Sequence, residues 1–208
     1  IDKITEDAVE TWFERHWPVG APVEIVMEGV EDDDPWYFPA SMRSGQSVWK
    51  CIIDPIDGTR GLMYDKRPAW ALAALAPQPS SSLADLTVAA MTEIPTAKQW
   101  RADQLSALRG SGPEGVVGES VDVRDNSRKP LVPRPSQATD LRHGFASFAR
   151  FFPQGKALTA RLEEDLLSAL DSQLGSEPLV FEDQYISTGG QLYEIAVGHD
   201  RFLGDLRP

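Results

Sequence analysis

Two aspartates lie close together in the segment IIDPIDGTRGL, which covers residues 52–62. Asp54 ends an apolar run, a proline stiffens the connection to Asp57, and Gly58 and Thr59 follow directly. Two carboxylates at this spacing can face one point and bind a hard cation through oxygen. If a helix begins near Thr59, its unpaired N–H groups favour an anion such as phosphate. One interpretation is therefore a cation site beside a phosphate site, which suits metal-assisted phosphoryl hydrolysis.

A surface turn is the alternative interpretation of the same residues, because Asp-Pro and Asp-Gly pairs are common turn formers. An EF-hand loop fits poorly, since its ligands fall at alternate positions before the glycine. A covalent aspartyl mechanism of the haloacid-dehalogenase type is not expected either. It would need an aspartate two residues before Asp57, where Pro55 stands. On the motif alone, the turn and the metal site are about equally supported.

Composition excludes several classes of function. The 208 residues are 41% hydrophobic, enough for the core of one large domain or two small ones. No apolar run reaches the ~18 residues that a membrane-spanning helix needs. The net charge of −12 argues against nonspecific nucleic-acid binding. The single cysteine, Cys51, rules out an intrachain disulfide and favours a reducing, cytoplasmic location.

Helix and strand patterns intermix in the first half of the chain. An amphipathic pattern predicts a helix over residues 4–17, and apolar runs predict strands over 23–27 and 48–54. Between these strands lies an acidic loop, whose aspartates at 32–34 are interpreted as solvated. The alanine-rich segment 68–77 fits a strand or a buried helix turn. Two further strands, 86–95 and 98–103, are predicted to form a hairpin.

The second half begins with residues 106–139, whose Gly, Pro, Ser and charged residues predict loops around one short strand. A stripe of leucines predicts a helix over 156–174, and a turn, a helix, a glycine stop and a strand are predicted over 187–206. The mixture indicates a layered α/β or α+β fold. We expect an N-terminal part, 1–105, carrying the motif and a C-terminal part, 106–208, in one compact catalytic unit.

The segment WKCIIDPIDGTRGL resembles the signature of the inositol monophosphatase family, Trp followed by Asp-Pro-[Ile/Leu]-Asp-Gly-Thr. All six positions from Asp54 to Thr59 match, while Trp49 stands two residues further from the first aspartate than in some members. The resemblance implies the layered α-β-α-β-α sandwich of the inositol monophosphatase and fructose-1,6-bisphosphatase type. It also implies Mg²⁺-dependent, lithium-sensitive hydrolysis of a small phosphate monoester, in line and without a phosphoenzyme.

The resemblance also implies roles for individual residues. VEIVMEG places Glu28 where the family has a metal-binding glutamate, and Asp2 fits an aspartate near the first long helix. Two or three Mg²⁺ ions would be held by Glu28, Asp54, the Ile56 carbonyl and Asp57. Thr59, oriented by Asp2, would position or deprotonate the metal-activated water, with Glu28 assisting. Phosphate and substrate contacts would come from Gly58, Thr59, Thr188, Gly189, Gly190 and Asp205.

Two departures from the family pattern bear on activity. The second signature, Trp-Asp-x-Ala, which supplies a third metal aspartate, does not occur before Pro208. The substrate-binding glutamate is also replaced, since Gly204 falls at its place and Asp205 would have to substitute. Three functions stay open: a phosphomonoesterase, a bisphosphate-directed relative such as a 3′-nucleotidase or fructose-bisphosphatase, and a non-catalytic binding protein. The expected partner is a small phosphorylated metabolite, and the resemblance implies a homodimer.

Overall fold

The structure, a computed structural model, describes residues 2–30, 35–79, 82–174 and 180–206, without the side chains of residues 2 and 171–174. The predicted acidic loop at 32–34 lies outside the described residues. Internal contacts divide the chain into two units, residues 1–131 and 132–208. The expected division after residue 105 falls inside the strand Arg101–Leu108. This strand belongs to the first unit and pairs with the strand that follows it in the chain. One compact catalytic unit stays a prediction.

In the described part of the first unit, eight strands form one sheet, in the order β2-β1-β3-β4-β5-β6-β7-β8. Only β1 and β3 are parallel among these pairs, and the others are antiparallel. The strands are β1 (Val23–Met27), β2 (Trp36–Phe38), β3 (Trp49–Asp57), β4 (Ala69–Pro77), β5 (Val88–Ile94), β6 (Arg101–Leu108), β7 (Val116–Asp122) and β8 (Arg128–Pro130). The helices are α1 (Asp2–His16), α2 (Thr59–Met63) and two 3₁₀ turns, Leu83–Asp85 and Gly112–Gly115.

Helix α1 packs its apolar face on the parallel strands β1 and β3. Phe13 is the buried centre of that contact, with its ring 5.4 Å from Phe38 and 5.1 Å from Trp17. Burial of such a side chain stabilises the fold by ~2 kcal/mol. The core around it consists of buried residues from these elements: Val23, Ile25, Met27, Cys51 and Ile53. This core fixes the carboxyl ends of β1 and β3, which carry the candidate site.

Several sequence predictions are confirmed. The helix over 4–17 and the strand over 23–27 are α1 and β1. Segment 68–77 is a strand, β4, since it pairs with β3 on one side and β5 on the other. The hairpin is present as β5 and β6, although its second strand is Arg101–Leu108 rather than 98–103.

The prediction for residues 106–139 is wrong, because this segment contains both β7 and β8. Their polar and glycine-containing sequences form strands because β6 offers an edge on which β7 pairs, and β7 in turn offers an edge to β8. Gly118 shows why a glycine is used there: a side chain would collide with the Leu131 carbonyl, and the Leu131 N–H donates to the Gly118 carbonyl at 2.9 Å. Strand β2 was also not foreseen within the predicted loop.

In the described part of the second unit, three parallel strands form a sheet in the order β10-β9-β11. Its elements are β9 (Gly144–Phe148), α3 (Lys156–Leu174), β10 (Val180–Phe181), α4 (Thr188–Val197) and β11 (Asp200–Gly204). The predicted helix over 156–174 is confirmed. The predicted turn, helix, glycine stop and strand are confirmed too, with Gly198 ending α4 at φ 84°. Among the described residues, no helix combines the length and apolarity that crossing a membrane requires.

Candidate functional site

Strand β3 does not end at Asp54, as the sequence predicted, but continues to Asp57. Asp54 pairs with Leu72 of β4, and Asp57 pairs with Trp70. The backbone therefore advances three residues along β3 but only two along β4. The extra residue is a β-bulge, which bends a strand and re-aims its side chains. Trp70 is buried to 1% exposure and anchors the far side of the bulge. Both aspartates therefore belong to a packed strand end, which argues against a simple surface turn.

Two local hydrogen bonds organise the bulge. The Ile56 N–H donates to Oδ1 of Asp54 at 3.1 Å, which orients that carboxylate. The Thr59 hydroxyl donates to the Ile56 carbonyl at 2.7 Å. A carbonyl oxygen has two lone pairs, so this bond leaves one available for another ligand. The predicted carbonyl ligand and the predicted water-positioning hydroxyl are thus direct neighbours.

Gly58 joins the bulge to α2. Its backbone lies in the left-handed region, at φ 95° and ψ 25°, where a Cβ atom costs ~1–2 kcal/mol. Helix α2 begins at the next residue, Thr59, which is the helix start that the anion interpretation required. Phosphate binding by the N–H groups of these two residues stays a prediction.

Glu28 directly follows β1 and lies beside Asp54. Because β1 and β3 are parallel, their carboxyl ends meet at the same edge, and the Glu28 N–H donates to the Ile53 carbonyl at 3.0 Å. A cavity of about 220 Å³ opens at this edge. It is lined by Glu28, Gly29, Asp54, Pro55, Ile56 and Thr59. Four residues predicted from the sequence, Glu28, Asp54, Ile56 and Thr59, therefore share one cavity.

In the second unit, the predicted glycines lie at the start of α4. The Ser187 hydroxyl caps this helix by accepting from the Gly190 N–H at 2.9 Å, and both Gly189 and Gly190 are buried. A side chain at position 190 would collide with the ring of Tyr185. Thr188 is the first residue of α4, and Asp205 is exposed just after β11. Whether these residues contact a substrate stays a prediction.

The fold matches solved structures, several of them of phosphatases. An IMPase/NADP phosphatase complexed with Mg²⁺ and phosphate aligns at a TM-score of 0.59 and 14% identity, over 100% of this chain and 61% of that one. The extragenic suppressor protein SuhB from Bartonella henselae gives 0.57 and 15%, over 96% and 60%. Fructose-1,6-bisphosphatase from Leishmania major, in its T-state, gives 0.57 and 12%, over 93% and 58%.

The chain has the inositol monophosphatase-family fold. The family resemblance and the layered α/β class predicted from the sequence are thereby confirmed at the level of the fold. Neither a protein-family model nor a curated protein sequence matches the chain. The chain spans about three-fifths of the length of these solved structures.

Within this inositol monophosphatase fold, Asp54 carries the strongest electrostatic perturbation of the cavity. Its pKa is raised from the ordinary 3.8 to about 7. Burial is the largest cause, followed by the hydrogen bond with the Glu28 carboxyl and by the negative charges of Glu28 and Asp57, while the Ile56 N–H acts in the opposite direction. Several carboxylates compete here for protons in a half-buried space, and a cation would relieve that repulsion.

The donor chemistry of the cavity fits a hard cation such as Mg²⁺, which prefers carboxylate and carbonyl oxygens. Glu28, Asp54 and Ile56 all line it. Among the described residues, however, no group of three or more His, Cys, Asp and Glu side chains is arranged to hold a metal ion. Asp57 acts on Asp54 through its charge. Asp2 is the first residue of α1, and its side chain lies outside the described part.

Sequence reasoning missed two features of this fold. Gln191 is only 2% exposed, and within the described residues neither atom of its side-chain amide has a hydrogen-bond partner. Nothing in its sequence context marks it apart from other helical glutamines. Glu6 of α1 was not among the predicted site residues, yet it lies next to Gly29 of the cavity. Its sequence signal, one helical turn after Asp2, is too common to single it out.

Proposed function

We propose that the chain works in a Mg²⁺-dependent phosphatase that hydrolyses a small phosphate monoester. The observation that carries the proposal is the cavity at the carboxyl ends of β1 and β3, where Glu28, Asp54 and the Ile56 carbonyl meet beside Thr59. Support also comes from structural relatives: one is complexed with Mg²⁺ and phosphate, one is bound with D-inositol-1-phosphate, and one is a LiCl-soaked inhibitory complex.

In the proposed cation site, two or three Mg²⁺ ions would be held by the carboxylates of Glu28, Asp54 and Asp57 and by the Ile56 carbonyl. When bound, Mg²⁺ supplies positive charge that lowers the pKa of the attacking water and offsets the charge of the phosphoryl group. The chain contributes the rigid placement of the oxygen donors. Three of them sit on one bulged strand and the fourth follows its parallel neighbour.

Thr59 orients the attacking water in this proposal, and Asp2 orients Thr59. The Thr59 hydroxyl donates to the Ile56 carbonyl in this structure, so its oxygen can accept a hydrogen bond from the water. Orientation by Asp2 would require the Asp2 carboxylate to replace this carbonyl as the acceptor of the hydroxyl. Attack on phosphorus is in line and releases the alcohol without a phosphoenzyme, since Pro55 stands where a haloacid-type nucleophile would lie. Glu28 assists as a charged neighbour of the same cavity.

Phosphate contacts in the first unit are proposed for the N–H groups of Gly58 and Thr59, at the start of α2. In the second unit, the proposed substrate-binding residues are Thr188, Gly189, Gly190 and Asp205. The substrate class is a small phosphorylated metabolite. Two further predictions accompany the proposal: a homodimer, which the family resemblance implies, and a cytoplasmic location, which the single cysteine favours.

A bisphosphate-directed enzyme is the second candidate, because fructose-1,6-bisphosphatase aligns with the chain at a TM-score similar to that of a Staphylococcal IMPase. A panel separates the candidates: inositol 1-phosphate, a nucleotide 3′,5′-bisphosphate and fructose 1,6-bisphosphate, each with and without Mg²⁺ and Li⁺. Mg²⁺-dependent, Li⁺-inhibited release of phosphate is expected from at least one of them. Binding of phosphate esters without any release would instead identify a non-catalytic protein.

A further inference from the structure

Glu6 approaches the candidate cation cavity from helix α1. Gly29, which lines that cavity, has its backbone at φ 90°. A methyl group added to its Cα would lie 3.2 Å from Oε1 of Glu6. The Glu6 carboxylate therefore touches the turn that follows β1, directly beside the residue Glu28.

This carboxylate is half-buried, and within the described residues it forms no hydrogen bond or ion pair. Its negative charge therefore lies against the wall of the cavity that Gly29 forms. On α1, the residue one turn further along is Glu10, which is exposed. The arrangement thus brings one carboxylate of the helix to the cavity and leaves the next in solvent.

We propose that Glu6 is a positioning residue of the cation site, which strengthens Mg²⁺ binding without being a direct ligand. This inference rests on the proposed function, since it takes the cavity of Glu28 and Asp54 to be a Mg²⁺ site. Glu6 adds negative charge and a hydrogen-bond acceptor at the wall formed by Gly29. Residues that act on a metal through its ligands typically change its affinity ~10-fold or more.

The test compares Glu6→Gln with the matched control Glu10→Gln by calorimetric titration of Mg²⁺ into each protein without substrate. We expect the wild-type chain to bind Mg²⁺, Glu6→Gln to raise the dissociation constant ~10-fold, and Glu10→Gln to leave it within about twofold, as for a screened surface charge. Equal weakening by both variants, or by neither, overturns the role of Glu6. Absence of Mg²⁺ binding by the wild type overturns the proposed cation site itself, so the two failures are distinct.

Melting in the absence of Mg²⁺ separates positioning from folding. Because the Glu6 carboxylate has no hydrogen bond or ion pair among the described residues, we expect Glu6→Gln to melt close to the wild-type temperature without the ion, and to gain less than the wild type when Mg²⁺ is added. A lower melting temperature without Mg²⁺, together with an unchanged gain on adding it, would assign Glu6 a structural role and contradict the proposal.

Discussion

The Thr59 hydroxyl donates a 2.7 Å hydrogen bond to the carbonyl of Ile56, across the bulge at the end of β3. One bond thereby links the group proposed to orient water with an oxygen proposed to bind the cation. The hydroxyl cannot donate elsewhere while it holds this carbonyl, so its chemical role is that of an acceptor. The local geometry of the motif therefore predicts how individual substitutions change activity and stability.

Thr59→Val removes the hydroxyl and keeps the shape of the side chain. We expect the rate of phosphate release from the best substrate of the panel to fall at least ~100-fold, in the range of a lost proton-handling group. Thr59→Ser retains the hydroxyl and should stay within about tenfold of the wild type. Steady-state assays at saturating Mg²⁺ provide the measurement. Similar rates for Thr59→Val and Thr59→Ser would show that the hydroxyl is not required for the reaction.

Gly58→Ala tests the left-handed backbone between the bulge and α2. Since an alanine at φ 95° is strained, the free energy of unfolding should fall by ~1–2 kcal/mol, measured by urea denaturation. The control is Gly20→Ala, where an added methyl group meets nothing within 4 Å and no left-handed φ is required. That variant should be neutral or slightly stabilising. Equal effects of the two substitutions would contradict the conformational argument.

Asp65 ties the segment after α2 to the hairpin of β5 and β6. Its Oδ1 accepts from the Ala97 N–H at 2.6 Å, and its own backbone lies at φ 50°. Asp65→Ala loses both the acceptor and the tolerance for this conformation, so we expect a loss of ~1–2 kcal/mol in the free energy of unfolding. Asp65→Asn keeps both features and should lose less than half as much. If the two variants are equally destabilised in urea, the Asp65 charge, rather than this contact, matters.

Asp122 at the end of β7 predicts a pH dependence of stability. The Arg124 side chain donates to both carboxylate oxygens, at 2.9 and 2.7 Å, and lowers the Asp122 pKa from 3.8 to about 2. Since the folded pKa is depressed, the contribution of this pair is fully present above pH 4 and is lost as pH falls towards 2. Asp122→Asn should remove that part of the acid sensitivity, so the urea midpoint should change less between pH 4 and pH 2 than it does in the wild type. An unchanged slope would contradict the assignment.

The sequence identified the motif because its chemistry is local. Asp54, Ile56, Asp57 and Thr59 lie within one short segment, so their proximity requires no knowledge of the fold. Glu28 was predicted through the resemblance, and the parallel pairing of β1 and β3 explains its position. The bulge was missed since it depends on the register between β3 and β4, which no single strand encodes.

Long-range features escaped prediction for the same reason. Strands β7 and β8 lack a strong apolar alternation and form because β7 pairs with β6 and β8 pairs with β7. The approach of Glu6 to Gly29 depends on how α1 packs through Phe13, and the unpartnered amide of Gln191 depends on burial in the second unit. Each requires tertiary contacts between residues distant in sequence, whereas helices such as α3 follow from their own periodicity.

The most direct test of the proposed activity is Mg²⁺-dependent phosphate release by the wild type and by Asp57→Asn, with Asp125→Asn, which changes an exposed turn aspartate, as control. The account predicts release that requires Mg²⁺, a loss of at least ~100-fold in Asp57→Asn at fixed Mg²⁺, and wild-type rates in Asp125→Asn. If Asp57→Asn hydrolyses the same ester at the wild-type rate and with the same dependence on Mg²⁺, this motif does not bind the metal as proposed.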